Sequence, residues 1–174
     1  MKASVFIATS LDGFIARTDG GLDWLPVDGG EPHGYDEFMS TVDAIVMGRN
    51  TFETVLGFGS WPYEQKPVVV LSHSLRELRA PNGAVCELMD GSPTEIVRRL
   101  ADRGWKHLYI DGGVTVRGFL ESGLIQELTI TKVPVLLGQG IPLFGRLGQD
   151  IRLEHVATQT YPSGLVKSHY RVLS

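Results

Sequence analysis

Three short segments of the chain carry residue types that bind anions, and each directly follows an apolar run. They are Met47-Gly48-Arg49-Asn50-Thr51, Leu71-Ser72-His73-Ser74 and Asp111-Gly112-Gly113-Val114-Thr115. A glycine lets backbone approach a phosphate closely, and the free N–H groups of a helix N-terminus favour negative charge. Arg49 adds a guanidinium whose forked donors suit phosphate oxygens. Together the segments indicate a site for a nucleotide with several phosphates.

Each segment taken alone has an ordinary structural explanation. Paired glycines before a helix are often only a tight turn, Ser-His-Ser after a strand is often a solvated loop, and Arg49 could be a surface ion-pair partner. Neither Gly-x-Gly-x-x-Gly nor Gly-Lys-Ser/Thr occurs, so the usual dinucleotide fingerprint and the P-loop are absent. The nucleotide hypothesis therefore depends on the fold bringing the three segments together.

The strands and helices around these three segments decide whether the segments lie close together in the folded chain. Apolar runs predict strands over Val5–Ala8, Ala44–Met47, Pro67–Leu71 and Leu108–Ile110, and several of these runs are followed by helical patterns. The sequence Ser92-Pro93-Thr94-Glu95 predicts a helix that begins with a capping box. If the strands are parallel, their carboxyl ends share one edge of a sheet, where open α/β sheets bind ligands.

The C-terminal third is predicted to contain strands alone. Leu128–Thr131 and Val133–Leu137 are interpreted as strands, with Pro134 marking a bulge or an edge, and residues 151–160 and 165–172 as a closing antiparallel hairpin. This order predicts an α/β sandwich with a mostly parallel sheet and an antiparallel C-terminal portion. We expect a single domain over residues 1–174, with a loop rich in Gly, Asp and Pro over 17–34.

Composition excludes several classes of function. The chain has 174 residues, a formal net charge of −4 and no basic run, so nucleic acid is not an expected partner. The single cysteine, Cys86, cannot form an internal disulfide, and the five histidines are scattered, so we expect no metal site. No apolar run approaches the length of a signal core or a membrane span, which leads us to expect a cytoplasmic location and no membrane partner.

Five segments in order resemble the dihydrofolate reductase superfamily, and more narrowly the riboflavin-biosynthesis reductase (RibD C-terminal) domain with its stand-alone bacterial relatives. These segments are Ala8–Ala16, Met47–Glu53, Leu71-Ser72, Ile110–Gly113 and Val133–Gly140. The resemblance covers nearly the whole chain, including the final hairpin. It implies a three-layer α/β sandwich, a small-molecule substrate and a possible homodimer, because the related reductases pair through the C-terminal part of the sheet.

The resemblance also implies NADPH as the cofactor, with positions assigned by family. Backbone groups of Ala8 and Thr9 would contact the nicotinamide. Ser72 and His73 would face the adenosine 2′-phosphate, which implies a preference for NADPH over NADH, and Leu71 before them is also an expected cofactor contact. The remaining expected cofactor-binding residues line the pyrophosphate and the adenosine side: Gly48, Arg49, Asn50, Thr51, Gly112, Gly113, Val114 and Thr115.

On the substrate side the resemblance makes Asp12 the candidate catalytic residue, either to orient the substrate or to handle a proton. Trp24 is a candidate wall of the pocket or a loop anchor, and Tyr35 a candidate substrate contact or a helix-surface residue. The acidic residue that binds the pterin ring in dihydrofolate reductases aligns with Gly34. We therefore predict an NADPH-dependent reductase of a small heterocycle of the 5-amino-6-(5-phosphoribosylamino)uracil type. The alternatives are a dihydrofolate reductase and a non-catalytic NADPH-binding protein.

Overall fold

The computed structural model describes residues 1–26, 31 and 33–173. The strands are β1 (Lys2–Ser10), β2 (Phe14–Ala16), β3 (Ala44–Gly48), β4 (Val68–Leu71), β5 (Cys86–Met89), β6 (His107–Asp111), β7 (Glu127–Val133), β8 (Ile141–Pro142), β9 (Leu153–Thr160) and β10 (Val166–Val172). The helices are α1 (Tyr35–Thr41), α2 (Arg49–Leu56), α3 (Pro93–Ala101) and α4 (Gly113–Glu121).

Eight strands form one central sheet in the order β5-β4-β3-β6-β1-β7-β10-β9. The strands from β5 to β7 pair in parallel, whereas β10 pairs antiparallel with both β7 and β9. The predicted mostly parallel sheet with an antiparallel C-terminal hairpin is therefore confirmed. Because β1, β3, β4 and β6 point the same way, their carboxyl ends meet at one edge.

Helices cover both faces of this sheet and form two separate cores. On one face Ile96 and Leu100 of α3 pack with Val116 and Phe119 of α4. On the other face α1 and α2 pack against the sheet, with Phe52 and Val55 contributed by α2. The central strands are apolar on both sides, as expected for parallel strands buried under two helical layers. The arrangement is the predicted three-layer sandwich.

The α3 helix begins where the sequence predicts. The Ser92 hydroxyl accepts a hydrogen bond from the Glu95 backbone N–H at 3.3 Å, and the Glu95 carboxylate accepts one from the Ser92 N–H at 2.8 Å. This reciprocal pair satisfies two backbone donors of the first turn, and Pro93 at the first helical position needs no partner.

Two parts of the chain differ from the prediction. Of the strand expected over Val133–Leu137, only Val133 is in a strand, as the last residue of β7. The pairing with β10 stops at Lys132, the pairing with β1 stops at Val133, and the chain bends at Pro134. The edge strand β5 and the two-stranded sheet of β2 and β8 were not predicted, because their sequences are short and lack a clear apolar pattern. Residues 27–30 and 32 of the predicted 17–34 loop lie outside the described residues. Within the described ranges no helix is long and apolar enough to cross a membrane.

Candidate active site

A cleft of about 1110 Å³ lies along the carboxyl ends of the parallel strands. Its wall includes Ala8 near the end of β1, Gly48 at the end of β3 and Asp111 at the end of β6. Residues that follow β4 and β5, among them Ser72 and Asp90, continue the wall to the sheet edge. The three anion-binding segments predicted from the sequence therefore share one cavity, as their positions after parallel strands require.

Two helices begin beside each other in this cleft. α2 begins at Arg49 directly after β3, and α4 begins at Gly113 two residues after β6. Within the described part of the chain no side chain caps either N-terminus, whereas α3 has its capping box. The first backbone N–H groups of α2 and α4 are therefore available to an anion in the cleft.

The close approach of the two helix N-termini depends on glycines. A Cβ built on Gly48, before α2, would lie 3.1 Å from the Thr115 Oγ1 in α4. A Cβ built on Gly112, before α4, would collide with the Thr51 Oγ1 in α2. Gly112 also has a φ of 89°, which L side chains rarely adopt. Each helix therefore packs a threonine against the glycine that precedes the other helix.

The predicted cofactor-binding residues, with one exception, line this cleft. The residues on its wall are Ala8, Gly48, Arg49, Asn50, Thr51, Leu71, Ser72, His73, Gly112, Gly113, Val114 and Thr115. Thr9 is the exception: its side chain is buried and its hydroxyl donates to the Ser10 carbonyl at 2.9 Å. Ser4 lies opposite Tyr109, so β1 continues well beyond the end of β6. In this extension Ile7 and Ala8 line the cleft.

Asp111 is a carboxyl group in the cleft whose role the sequence did not reveal. One oxygen accepts a hydrogen bond from the Gly112 N–H at 2.8 Å. Burial raises the pKa of Asp111 from 3.8 to about 6, and the Gly112 hydrogen bond only partly opposes this rise. The sequence signal was an acidic residue at the end of an apolar strand, but only the fold shows that this residue is largely shielded from solvent.

Three tyrosines surround the region of Asp111. Tyr35, Tyr63 and Tyr109 all line the cleft, and the Tyr109 hydroxyl donates to the Phe6 carbonyl at 2.9 Å. Burial, with a smaller effect from the Asp111 charge, raises the pKa of Tyr35 to about 12 and raises the pKa values of Tyr63 and Tyr109 as well. These phenols stay neutral at physiological pH. The buried carboxyl of Asp111 is therefore the group among these four that titrates near neutrality.

The structure does not give Asp12 the surroundings of a proton donor. Its carboxylate accepts hydrogen bonds from the Ser10 hydroxyl at 2.6 Å and from the N–H groups of Leu137 and Gly138 at 3.1 and 2.8 Å. The Ser10 hydrogen bond above all lowers the pKa of Asp12 to about 2, and the residue does not line the cleft. These hydrogen bonds join the turn after β1 to the segment after β7, and a substrate-orienting role for Asp12 stays a prediction.

Trp24 and Tyr35, the two predicted substrate contacts, lie in different places. Trp24 is buried against Val133 and Leu165 and does not line the cleft, because its large apolar ring fills a small core under the loop. Its neighbours Leu22 and Leu25 reach the cleft instead. Tyr35, at the start of α1, does line the cleft.

A polar clip at the wall of the cleft was not predicted from the sequence. The Glu31 carboxylate accepts a hydrogen bond from the Ser163 N–H at 3.1 Å, and the Lys167 ammonium donates to the His33 carbonyl at 2.7 Å. Glu31, His33 and Ser163 line the cleft. These contacts join the loop before α1 to the β9–β10 hairpin, across more than a hundred residues of chain. Sequence patterns carry no signal for such a contact.

Among the residues that the structure describes, no group of three His, Cys, Asp or Glu side chains could hold a metal ion. Among the described residues, the donors that line the cleft include backbone N–H groups at two helix N-termini, hydroxyls, the Asn50 amide, two imidazoles and the Arg49 guanidinium. This set suits phosphate oxygens, and two adjoining helix N-termini match the two phosphates of a dinucleotide.

The fold places the protein among the dihydrofolate-reductase-like α/β domains. Dihydrofolate reductase from Enterococcus faecalis superimposes with a TM-score of 0.69 at 20% identity, and the match covers 99% of this chain and 97% of that enzyme. The family is narrower: the RibD C-terminal domain family matches residues 2–167, and the chain belongs to it.

Two relatives match this chain over their own full or nearly full length. The Bacillus subtilis protein YwjB, whose function is uncharacterised, is 35% identical over 172 residues, which is 97% of both chains. A candidate riboflavin biosynthesis protein from Shewanella sp. PV-4 has a crystal structure that superimposes with a TM-score of 0.93 at 40% identity, covering 100% of both chains. The chain is therefore a RibD C-terminal, reductase-like domain.

Proposed function

We propose that this protein is an NADPH-dependent reductase that transfers hydride to a small heterocyclic substrate. One observation carries the proposal: two uncapped helix N-termini adjoin each other in the same cleft as the buried carboxyl of Asp111. The first feature suits the pyrophosphate of a dinucleotide, and the second suits proton transfer. The likeness to a candidate riboflavin biosynthesis protein supports a substrate of the 5-amino-6-(5-phosphoribosylamino)uracil type.

The residues of the cleft divide into a binding part and a reacting part. The N-termini of α2 and α4 would hold the pyrophosphate, with Arg49 beside them, and Ser72 and His73 would contact the adenosine ribose. The backbone of β1 at Ile7 and Ala8 would orient the nicotinamide. The bound cofactor supplies the hydride, and the protein supplies orientation, charge and exclusion of water.

Asp111 is proposed as the catalytic acid. Reduction of an imine adds hydride to carbon and leaves an electron pair on nitrogen, which must receive a proton. With a pKa of about 6, Asp111 is protonated in an appreciable fraction of molecules near neutral pH and can donate that proton. Asp12, with a pKa of about 2, is ionised under the same conditions and cannot.

The two alternatives make different demands on the cleft. A dihydrofolate reductase needs an acidic residue of α1 against the pterin ring, yet Asp36 and Glu37 are exposed and do not line the cleft. A non-catalytic binding protein has no use for a buried carboxyl whose burial opposes its ionisation. Asp111 therefore favours an enzyme.

Titration of the purified protein with NADPH, followed by intrinsic tryptophan fluorescence, tests the cofactor assignment. Turnover is then measured as loss of NADPH absorbance with ribosylamino-pyrimidine and pterin substrates. We expect saturable binding and turnover of a pyrimidine, with little turnover of dihydrofolate. Asp111→Asn should leave binding unchanged and reduce the rate at least a hundredfold, in line with the contribution of a general acid. Binding without turnover of any heterocycle would support the non-catalytic alternative.

A further inference from the structure

The rim of the cleft at β4 and β5 carries an unexpected acidic group. β4 and β5 pair in parallel with Leu71 opposite Met89, so the residues that follow them are neighbours. The Ser72 N–H donates to the Met89 carbonyl at 3.1 Å. The His73 Nδ1 is in direct contact with an oxygen of the Asp90 carboxylate. Ser72, His73 and Asp90 all line the cleft at this rim.

This rim is where the proposed function puts the adenosine ribose. In that proposal the pyrophosphate would be held by the N-termini of α2 and α4, which follow β3 and β6. Tyr35, Tyr109 and Asp111 form the inner part of the cleft, toward β1. The other half of a dinucleotide must then extend over β4 and β5, toward side chains that are largely solvent-exposed: 84% for His73 and 59% for Asp90.

The charges of this region do not favour a second phosphate group. Among the described residues that line the cleft, Arg49 is the one fixed cation, and its Nε is 2.8 Å from the Glu53 carboxylate of its own helix. Arg99 reaches only the backbone carbonyl of Asp90, at 2.9 Å, and does not line the cleft. The His73 imidazole lines the cleft at this rim, and its Nδ1 already contacts the Asp90 carboxylate.

A carboxylate at this position acts oppositely on the two nicotinamide cofactors. It can accept a hydrogen bond from the free 2′-hydroxyl of NADH, and it repels the 2′-phosphate of NADPH. We propose that Asp90 is a specificity-determining residue that lets this protein bind NADH alongside NADPH. The inference rests on the proposed function, since it requires that the cleft hold a nicotinamide dinucleotide.

The test compares binding rather than turnover. NADH and NADPH are titrated by tryptophan fluorescence, and 5′-AMP and adenosine 2′,5′-bisphosphate by calorimetry, which isolates the adenosine end. The wild-type protein should bind NADH and NADPH with affinities within about tenfold of each other. Two affinity ratios are compared: NADPH to NADH, and adenosine 2′,5′-bisphosphate to 5′-AMP. Asp90→Asn should shift both ratios toward the ligand with the 2′-phosphate by about tenfold, because one like charge is removed.

Asp102→Asn is the matched control, since Asp102 is exposed at the end of α3 and does not line the cleft. It removes the same charge and should leave both ratios unchanged. Equal effects of Asp90→Asn on both members of each ligand pair would overturn the proposal for Asp90 while leaving the reductase assignment in place. Failure of the wild-type protein to bind either dinucleotide would instead refute the proposed function itself, and the inference with it.

Discussion

Asp111 shows how one side chain can lower stability and support chemistry at the same time. A carboxyl that is buried in the folded chain and solvated in the unfolded chain ionises more easily after unfolding. The folded protein therefore holds its proton over a pH range in which the unfolded chain has released it. Active sites often contain groups of this kind, which oppose folding and enable the reaction.

We expect Asp111→Asn to stabilise the protein at neutral pH while it reduces turnover. The rise in the pKa of Asp111 from 3.8 to about 6 corresponds to a loss of about 3 kcal/mol from the free energy of unfolding at pH 8, relative to pH below 4. The loss develops between about pH 4 and 6, as pH rises through the folded-state pKa. Chemical denaturation of both proteins at pH 4 and pH 8 should show a stabilised variant at pH 8 only. If the variant and the wild-type protein differed in stability by the same amount at pH 4 and pH 8, burial would not raise the pKa of Asp111.

Asp12 is expected to act on structure. Its folded-state pKa of about 2 lies below the ordinary value of 3.8, so its stabilising contribution is present above about pH 4 and is lost as pH falls toward 2. Asp12→Ala should leave the Leu137 and Gly138 N–H groups without their acceptor and speed amide exchange there at pH 7. Hydrogen exchange by mass spectrometry measures this, with Asp19→Ala, on the neighbouring exposed loop, as the control. Unchanged exchange together with abolished turnover would return Asp12 to a direct role in the reaction.

Helix ends are the elements on which the site depends. Gly112→Ala would place a methyl group against the Thr51 hydroxyl and a side chain on a backbone with a φ of 89°. The N-termini of α2 and α4 would be forced apart, and we expect NADPH affinity to fall by at least tenfold, about 1.4 kcal/mol. Gly148→Ala is the control, because a Cβ there meets nothing within 4 Å and its φ is not positive. If the Gly112 variant kept its NADPH affinity, the N-termini of α2 and α4 would not be the cofactor-binding elements.

Sequence reasoning found the elements with strong local signals and missed contacts between distant segments. The capping box before α3 and the apolar runs of β3 and β4 are local, so they were predictable from neighbouring residues. The positions of Trp24 and Asp12 were not, because each depends on a segment more than a hundred residues away: Val133 and Leu165 for one, Leu137 and Gly138 for the other. The same limit hid Asp111, whose carboxyl is shielded from solvent only in the assembled cleft.

At the scale of the whole molecule, the edge strand β9 differs from the rest of the sheet. All eight of its residues are exposed, and they include Leu153 and Val156 at 40% and 45%. Exposed strand edges invite pairing with another chain. We therefore expect the homodimer that the family resemblance implies to form through this strand.

We expect the protein to be a dimer in solution and Val156→Lys to convert it to a monomer. Light scattering coupled to size exclusion measures the mass directly. Val85→Lys is the matched control, because Val85 is exposed to the same 45% but lies beside β5, at the other edge of the sheet. A wild-type mass equal to one chain would contradict the dimer. Dissociation by both substitutions would contradict the assignment of the interface to β9.

The clip between Glu31 and Ser163, with Lys167 on the His33 carbonyl, spans 132 and 134 residues of chain. During synthesis, the mouth of the cleft therefore stays unfinished until the final hairpin has left the ribosome. A nascent chain stalled before residue 160 could already hold its parallel strands, yet it would lack one rim of its own pocket. Protection of the nascent chain from proteolysis by a ligand in the cleft should thus appear late in translation, after most of the core has formed.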